Sequence, residues 1–148
     1  MKLIVCTDSR GGMSFFGRRI ASDRLVTMDI IREGKGRLLI APFSEKIFIR
    51  AIEAEDFTGR KDINNYTVYE NPLEAADYED AVFIEDRTVR PYLDKIDTLI
   101  IYNLNLPYPF DKKLDIEPVA DNFELVSATK FPGNSHDLVT KSVFRRKA

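Results

Sequence analysis

Few clusters in this chain hold the residue types that chemistry requires. Ser135, His136 and Asp137 are the three types of a hydrolytic triad, but neighbours on a turn or strand point apart, whereas a triad converges side chains from separate segments. They read as the chemistry of a hairpin turn. Cys6 is the single cysteine and His136 the single histidine, so one subunit cannot assemble a Cys/His zinc site or an internal disulfide. Cys6 sits in an apolar run and reads as a small core residue rather than a nucleophile. Gly34-Lys35-Gly36-Arg37 lacks the spacing and the hydroxyl of a phosphate-binding P-loop and reads as a turn from helix to strand. Asp77, Glu79, Asp80, Glu85 and Asp86 lack calcium-loop spacing and read as a solvated acidic face, so no metal site is expected. What remains is Arg10, Arg18, Arg19 and Arg24 around Asp23, a locally basic stretch that reads as a site for an anionic ligand or, more commonly for such a run, as a solvated charged loop. Within it, the adjacent Phe15 and Phe16 read as a lid over a ligand or, preferably, as a plug filling a cleft.

The elements that must position these groups belong to a chain of 148 residues, 44% hydrophobic and 31% charged, which is enough for one compact domain over residues 1–148 with its own core. A net charge of −2 supplies no whole-molecule field for nucleic acid or an anionic membrane, so neither is an expected partner. The longest apolar stretch, residues 38–43, is too short to span a bilayer, and the opening apolar run is too short for a secretory core; the expected address is the cytoplasm.

Leu3-Ile4-Val5-Cys6 reads as a buried strand that runs into a glycine-rich loop of about a dozen residues. Ser22 is placed to cap a helix over residues 23–32, in which Leu25, Val26, Met28, Ile30 and Ile31 recur at three and four and which Gly34 and Gly36 stop. A strand at 37–41 follows, then a second helix from Pro42 and Ser44 to near Glu55, with Ile47, Phe48, Ala51 and Ile52 on one face. Residues 66–69 read as a strand, 72–79 as a short helix, 81–84 as a strand, 87–95 as a helix and 98–102 as a strand. Three prolines mark 103–118 as a long ordered loop, and 123–131 and 138–145 close the chain as an antiparallel hairpin around Pro132-Gly133-Asn134. This alternation predicts an α/β fold of three layers: a mostly parallel central sheet, helices on both faces, and a C-terminal antiparallel β-hairpin.

Several of these pieces, taken in order, resemble a known family. They are Leu3-Ile4-Val5-Cys6-Thr7-Asp8, Gly12-Met13-Ser14-Phe15-Phe16-Gly17, Ser22-Asp23-Arg24-Leu25, Thr58-Gly59-Arg60-Lys61, Val82-Phe83-Ile84 and the closing hairpin. Their order is similar to that of the dihydrofolate reductases and the related reductase domains of riboflavin synthesis. The resemblance implies a small-molecule substrate and NAD(P)H-dependent reduction of a pterin- or pyrimidine-like ring. It places Asp23 at the family's catalytic carboxylate, which grips an amidine-like edge and supports protonation; read without the resemblance, Asp23 is equally a negative residue in a helix first turn that stabilises the helix dipole. It places Val5, Cys6, Met28, Arg60 and Tyr102 beside the substrate, with Arg60 toward a substrate carboxylate. Gly12, Met13, Ser44, Ile84, Glu85, Asp86 and Arg87 fall beside the cofactor, NADPH.

The departures from that pattern bear on the cofactor. Where the family has a glycine pair that lets backbone approach the pyrophosphate, this chain has Glu85-Asp86-Arg87, whose two carboxylates repel it. Where the family has an arginine-bearing phosphate segment, this chain has Ala41-Pro42-Phe43-Ser44, and proline removes a donor. Tyr102 replaces a smaller hydroxyl residue near the acid, and the sequence holds no tryptophan. A second reading follows from these changes: a non-catalytic relative acting as a small-ligand binder or assembly protein, with homodimer formation left open.

Overall fold

The structure is a computed structural model that describes residues 1–55 and 65–148. Its main sheet has seven strands in the order β5-β4-β6-β1-β7-β10-β9, with β1 Lys2–Thr7, β4 Leu38–Ile40, β5 Thr67–Val68, β6 Ala81–Phe83, β7 Thr98–Asn103, β9 Phe123–Phe131 and β10 Val139–Arg146. The strands from β5 to β7 run parallel, and β10 pairs antiparallel with both β7 and β9. This is the mostly parallel sheet with a closing antiparallel hairpin that the alternation predicts.

Strand β1 lies between β6 and β7, and its pleat divides the core. Leu3 and Val5 point to one face with Met13, Leu73, Val89, Ile96 and Phe123, and Ile4 points to the other with Val26, Ile30, Phe48, Phe83 and Tyr102. A strand covered on both faces has no reason to alternate with polar residues, which is why this one reads as a continuous apolar run. Helices α1 (Arg24–Gly34) and α2 (Glu45–Glu55) cover the second face, and a 3₁₀ turn at Pro42–Ser44 leads into α2. The first face is covered more thinly, by the four-residue α3 (Pro72–Ala75), a 3₁₀ segment at Arg90–Lys95 and the loop that carries Ile116.

Some local expectations are corrected. The helix expected over 72–79 stops at Ala75 because Ala76 is already extended, at φ −68°, ψ 139°. The helix expected over 87–95 is only the 3₁₀ segment, with Pro91 in its first turn. The glycine-rich loop after β1 is folded into strands β2 (Gly12–Phe15) and β3 (Arg18–Arg19), and the proline-rich loop contributes β8 (Lys112–Lys113), giving a second sheet in the order β3-β2-β8. Helix α1 ends in the left-handed region at Lys35, φ 49°, although glycines stand on either side. Gly34 is needed elsewhere: a Cβ there would lie 2.6 Å from Cβ of Leu38.

Candidate functional site

In open parallel sheets, ligands sit in the crevice outside the C-terminal strand ends. Here that crevice receives Cys6 from β1, Ser44 from the turn after β4 and Glu85 from the end of β6. Glu85 is buried and fully engaged. Nε of Arg19 donates to its Oε1 at 2.5 Å, an Arg19 terminal nitrogen donates to Oε2 at 2.8 Å, and the Ser44 hydroxyl donates to Oε2 at 2.7 Å. The guanidinium also donates to the Phe43 carbonyl at 3.2 Å and lies 5.1 Å from the centroid of the Phe43 ring. Arg19 on β3 therefore ties together the ends of β4 and β6. Glu85 thus does not belong to a solvated acidic face.

A dinucleotide's pyrophosphate does not fit these residues. The position where backbone would have to approach it holds a buried carboxylate locked in a bidentate ion pair, Pro42 lacks an amide donor, and Lys112 is committed to the Asp86 carbonyl at 2.7 Å. No helix begins at residues 85–87 to present an array of amides, since the first helical turn after β6 starts at Arg90.

Asp23 occupies the other side of the crevice. It is the N-cap of α1, extended at φ −143°, ψ 121°, which corrects the expectation that Ser22 caps and Asp23 opens the helix. Its Oδ1 accepts from the amides of Leu25 at 3.0 Å, Val26 at 3.3 Å and Asn134 at 2.9 Å. Its Oδ2 accepts from the Ser135 amide at 2.9 Å and meets the Ser135 hydroxyl at 3.3 Å and Nδ1 of His136 at 3.0 Å. Burial alone raises this carboxyl; the Asn134 amide, the His136 imidazole and the Ser135 and Val26 amides outweigh it and hold it at about 2. An ionised carboxylate accepts only, so Nδ1 of His136 carries the proton toward Asp23. On the far side of the ring, Nε2 meets the Tyr108 hydroxyl at 2.7 Å. His136 and Asp23 expose 2% and 0% of their side chains, so this pair is part of the interior.

Ser135 and His136 thus do more than form a hairpin turn, and the reason is tertiary: Asp23 reaches them across 113 residues of sequence. They still do not form a hydrolytic triad. Ser135 Oγ and the carboxylate both lie on the Nδ1 side, at 3.3 and 3.0 Å, whereas a triad places them on opposite nitrogens. Asp137 is exposed and takes no part.

Cys6 lies between the two clusters and is half-buried; burial, then the charges of Glu85 and Asp23, push its thiol above the usual range, with Arg19 offsetting in part. Val5, Met13 and Ile84 are core side chains on the first face, and Met28 packs partly against the core of the second. Gly12 faces Phe110, whose ring atoms a Cβ would meet at 2.3 Å. Tyr102 is buried, and its hydroxyl donates to Asp29 at 2.5 Å rather than to Asp23, beside Lys141, which also holds Asp29 at 2.7 Å. Asp86 and Arg87 are half-buried, and Arg60 with its turn lies outside the described residues. Phe15 and Phe16 do not plug the crevice: they sit at the β2–β3 tip, 37% and 75% exposed, with their rings 4.3 Å apart.

Sequence reading missed Arg19 as a specific partner, His136 as a buried group and Tyr108 altogether. The only signal was the cluster of arginines around Asp23, which carries no information about which one turns inward. Beside Asp23, a cavity of about 350 Å³ opens between α1, α2 and the 134–135 turn. Its walls include Arg24 and Arg50, Thr27 and Ser135, and the apolar Ile47 and Ala51. Among the described residues, no group of three His, Cys, Asp or Glu side chains is placed to hold a metal, and no helix is long and apolar enough to cross a membrane.

No protein-family model and no curated protein matches the sequence. Among solved structures, dihydrofolate reductase from Enterococcus faecalis, complexed with NADP(H) and RAB-propyl, superposes with a TM-score of 0.66. The match covers 99% of this chain and 96% of that one at 12% sequence identity. A likeness over the whole length at so low an identity is a statement about architecture, since one fold hosts many functions. The chain has the dihydrofolate reductase fold, in a divergent form.

Proposed function

We propose that the chain is a small-molecule-binding protein of the dihydrofolate reductase fold, taking a nitrogen heterocycle that bears an anionic substituent, without nicotinamide chemistry. The observation that carries this reading is the cavity between α1 and α2. Its 350 Å³ lies in the range of small-molecule sites, Arg24 and Arg50 are among its lining residues, and Ile47 and Ala51 offer an apolar surface to a ring. The closed Arg19–Glu85–Ser44 cluster supports the second half of the reading.

A second reading, NAD(P)H-dependent reduction of a pterin- or pyrimidine-like substrate, is supported by the likeness of nearly the whole chain to a reductase complexed with NADP(H). It requires the dinucleotide to displace Arg19 from Glu85, and it requires a substrate edge to compete with the six donors already on Asp23. The test is a thermal-shift titration with pterin-6-carboxylate. A probe at a hundred times its dissociation constant stabilises by about 2.7 kcal/mol, and the shift shrinks in Arg24→Ala and Arg50→Ala. An unshifted wild-type melting curve, or a shift in both variants as large as that of wild type, contradicts the cavity as the site.

A further inference from the structure

Three side chains from three segments meet in one hydrogen-bonded line: Tyr108 from the loop after β7, His136 from the closing hairpin and Asp23 from the cap of α1. The line begins at a half-buried phenol and ends at the wall of the cavity, which both Asp23 and Ser135 help to form. Tyr108 is fixed independently of the imidazole: its amide donates to Oδ2 of the buried Asp8 at 3.2 Å, and its carbonyl accepts from Arg10 at 2.5 Å. Ser135 Oγ stands 3.3 Å from Nδ1 of His136, and its own hydrogen is shared between the Ser22 carbonyl at 3.0 Å and the carboxylate. The charged and titratable groups around the ring are Asp23 and, further out, Arg24 of α1, Asp8 and Cys6 at the end of β1, and Tyr108 itself.

We propose that Tyr108, His136 and Ser135 form a proton relay, held in line by Asp23, that delivers a proton from solvent to a basic atom of a ligand bound in the α1–α2 cavity. The assignment rests on the ligand reading given above. In the transfer, the Ser135 hydroxyl passes its hydrogen to the ligand nitrogen and takes one from Nδ1 of His136. Nε2 takes the Tyr108 proton, and the phenolate is reprotonated by water. The net change is one proton from solvent to ligand, with no electron transfer. Asp23 is a positioning residue, since its anion fixes the tautomer that leaves Nε2 free to accept.

The test is stopped-flow mixing of pterin-6-carboxylate with the protein at neutral pH beside a pH-indicator dye, which follows the rate of proton uptake, with calorimetric titration of the same pair to read binding. Wild-type protein takes up protons on binding. Tyr108→Phe and His136→Gln bind within about threefold of wild type and take up protons to the same extent at equilibrium, but do so about tenfold more slowly or worse. Tyr108→Phe removes a single hydroxyl and serves where His136→Gln fails to fold. Binding with an unchanged rate of uptake in Tyr108→Phe, or wild-type binding with no proton uptake, overturns the relay and leaves the cavity reading intact, whereas absence of any binding heat with wild-type protein overturns both.

Discussion

Replacing Asp23 by Asn removes one charge and one acceptor while keeping the shape of the side chain, and the surroundings determine the cost. The amide oxygen can serve the amides of Leu25, Val26 and Asn134, but the amide nitrogen then faces the Ser135 N–H, a donor against a donor. Leaving that part-buried amide unpaired costs ~1–2 kcal/mol, the lower part of the range for an unsatisfied donor. The charge has its own contribution. A carboxyl held at about 2 instead of 3.8 is stabilising by linkage, and after allowance for solvent at the Asn134–Ser135 rim this amounts to ~1–2 kcal/mol. The sign follows from the depressed value: the contribution is complete above pH 3.8 and disappears as the pH falls through about 2. Asp23→Asn is therefore expected to destabilise by ~2–4 kcal/mol at neutral pH and to show a flatter loss of stability in acid than wild type. Urea unfolding followed by far-UV circular dichroism reads both, since the sequence has no tryptophan to report by fluorescence. A midpoint unchanged at neutral pH, or acid curves of equal slope, would refute the idea that this carboxylate holds the closing hairpin to α1.

Two further outcomes follow from the same geometry. Arg19→Ala leaves Glu85 buried and without its bidentate partner, and is expected to cost about 3 kcal/mol in chemical denaturation, whereas Arg18→Ala, on the exposed side of the same strand, stays within ~0.5 kcal/mol. Gly133→Ala places a Cβ 2.4 Å from Oδ2 of Asp23, so the turn must move away and the melting temperature falls by an amount equivalent to ~1–3 kcal/mol.

The architecture was legible because its signals are local. Leu3-Ile4-Val5 had to be a strand covered on both faces, the three-and-four spacing from Val26 to Ile31 had to be a helix on the sheet, and Pro132-Gly133-Asn134 had to turn a hairpin. Where it was misread, tertiary contact overrode local preference. The loop after β1 is pinned as a hairpin by pairing with β8, a partner about a hundred residues away in sequence, and short helices on the thinly covered face end early. The candidate site was half legible. Asp23 was expected as a catalytic carboxylate, and its observed place as cap and anchor depends on His136, which proximity in sequence to Ser135 and Asp137 disguised as a failed triad. Glu85 was expected to repel phosphate, and nothing in the sequence says that Arg19, rather than Arg10, Arg18 or Arg24, pairs with it.

If the Arg19–Glu85–Ser44 cluster closes the strand-end crevice, a nicotinamide dinucleotide has no place to bind there. Isothermal titration of NADPH into the folded wild-type chain tests it most directly. With the crevice closed, no saturable heat is expected at concentrations up to about 1 mM, a limit that corresponds to binding weaker than roughly −4.1 kcal/mol. A one-to-one isotherm with a micromolar dissociation constant would contradict it and return the chain to the reductases.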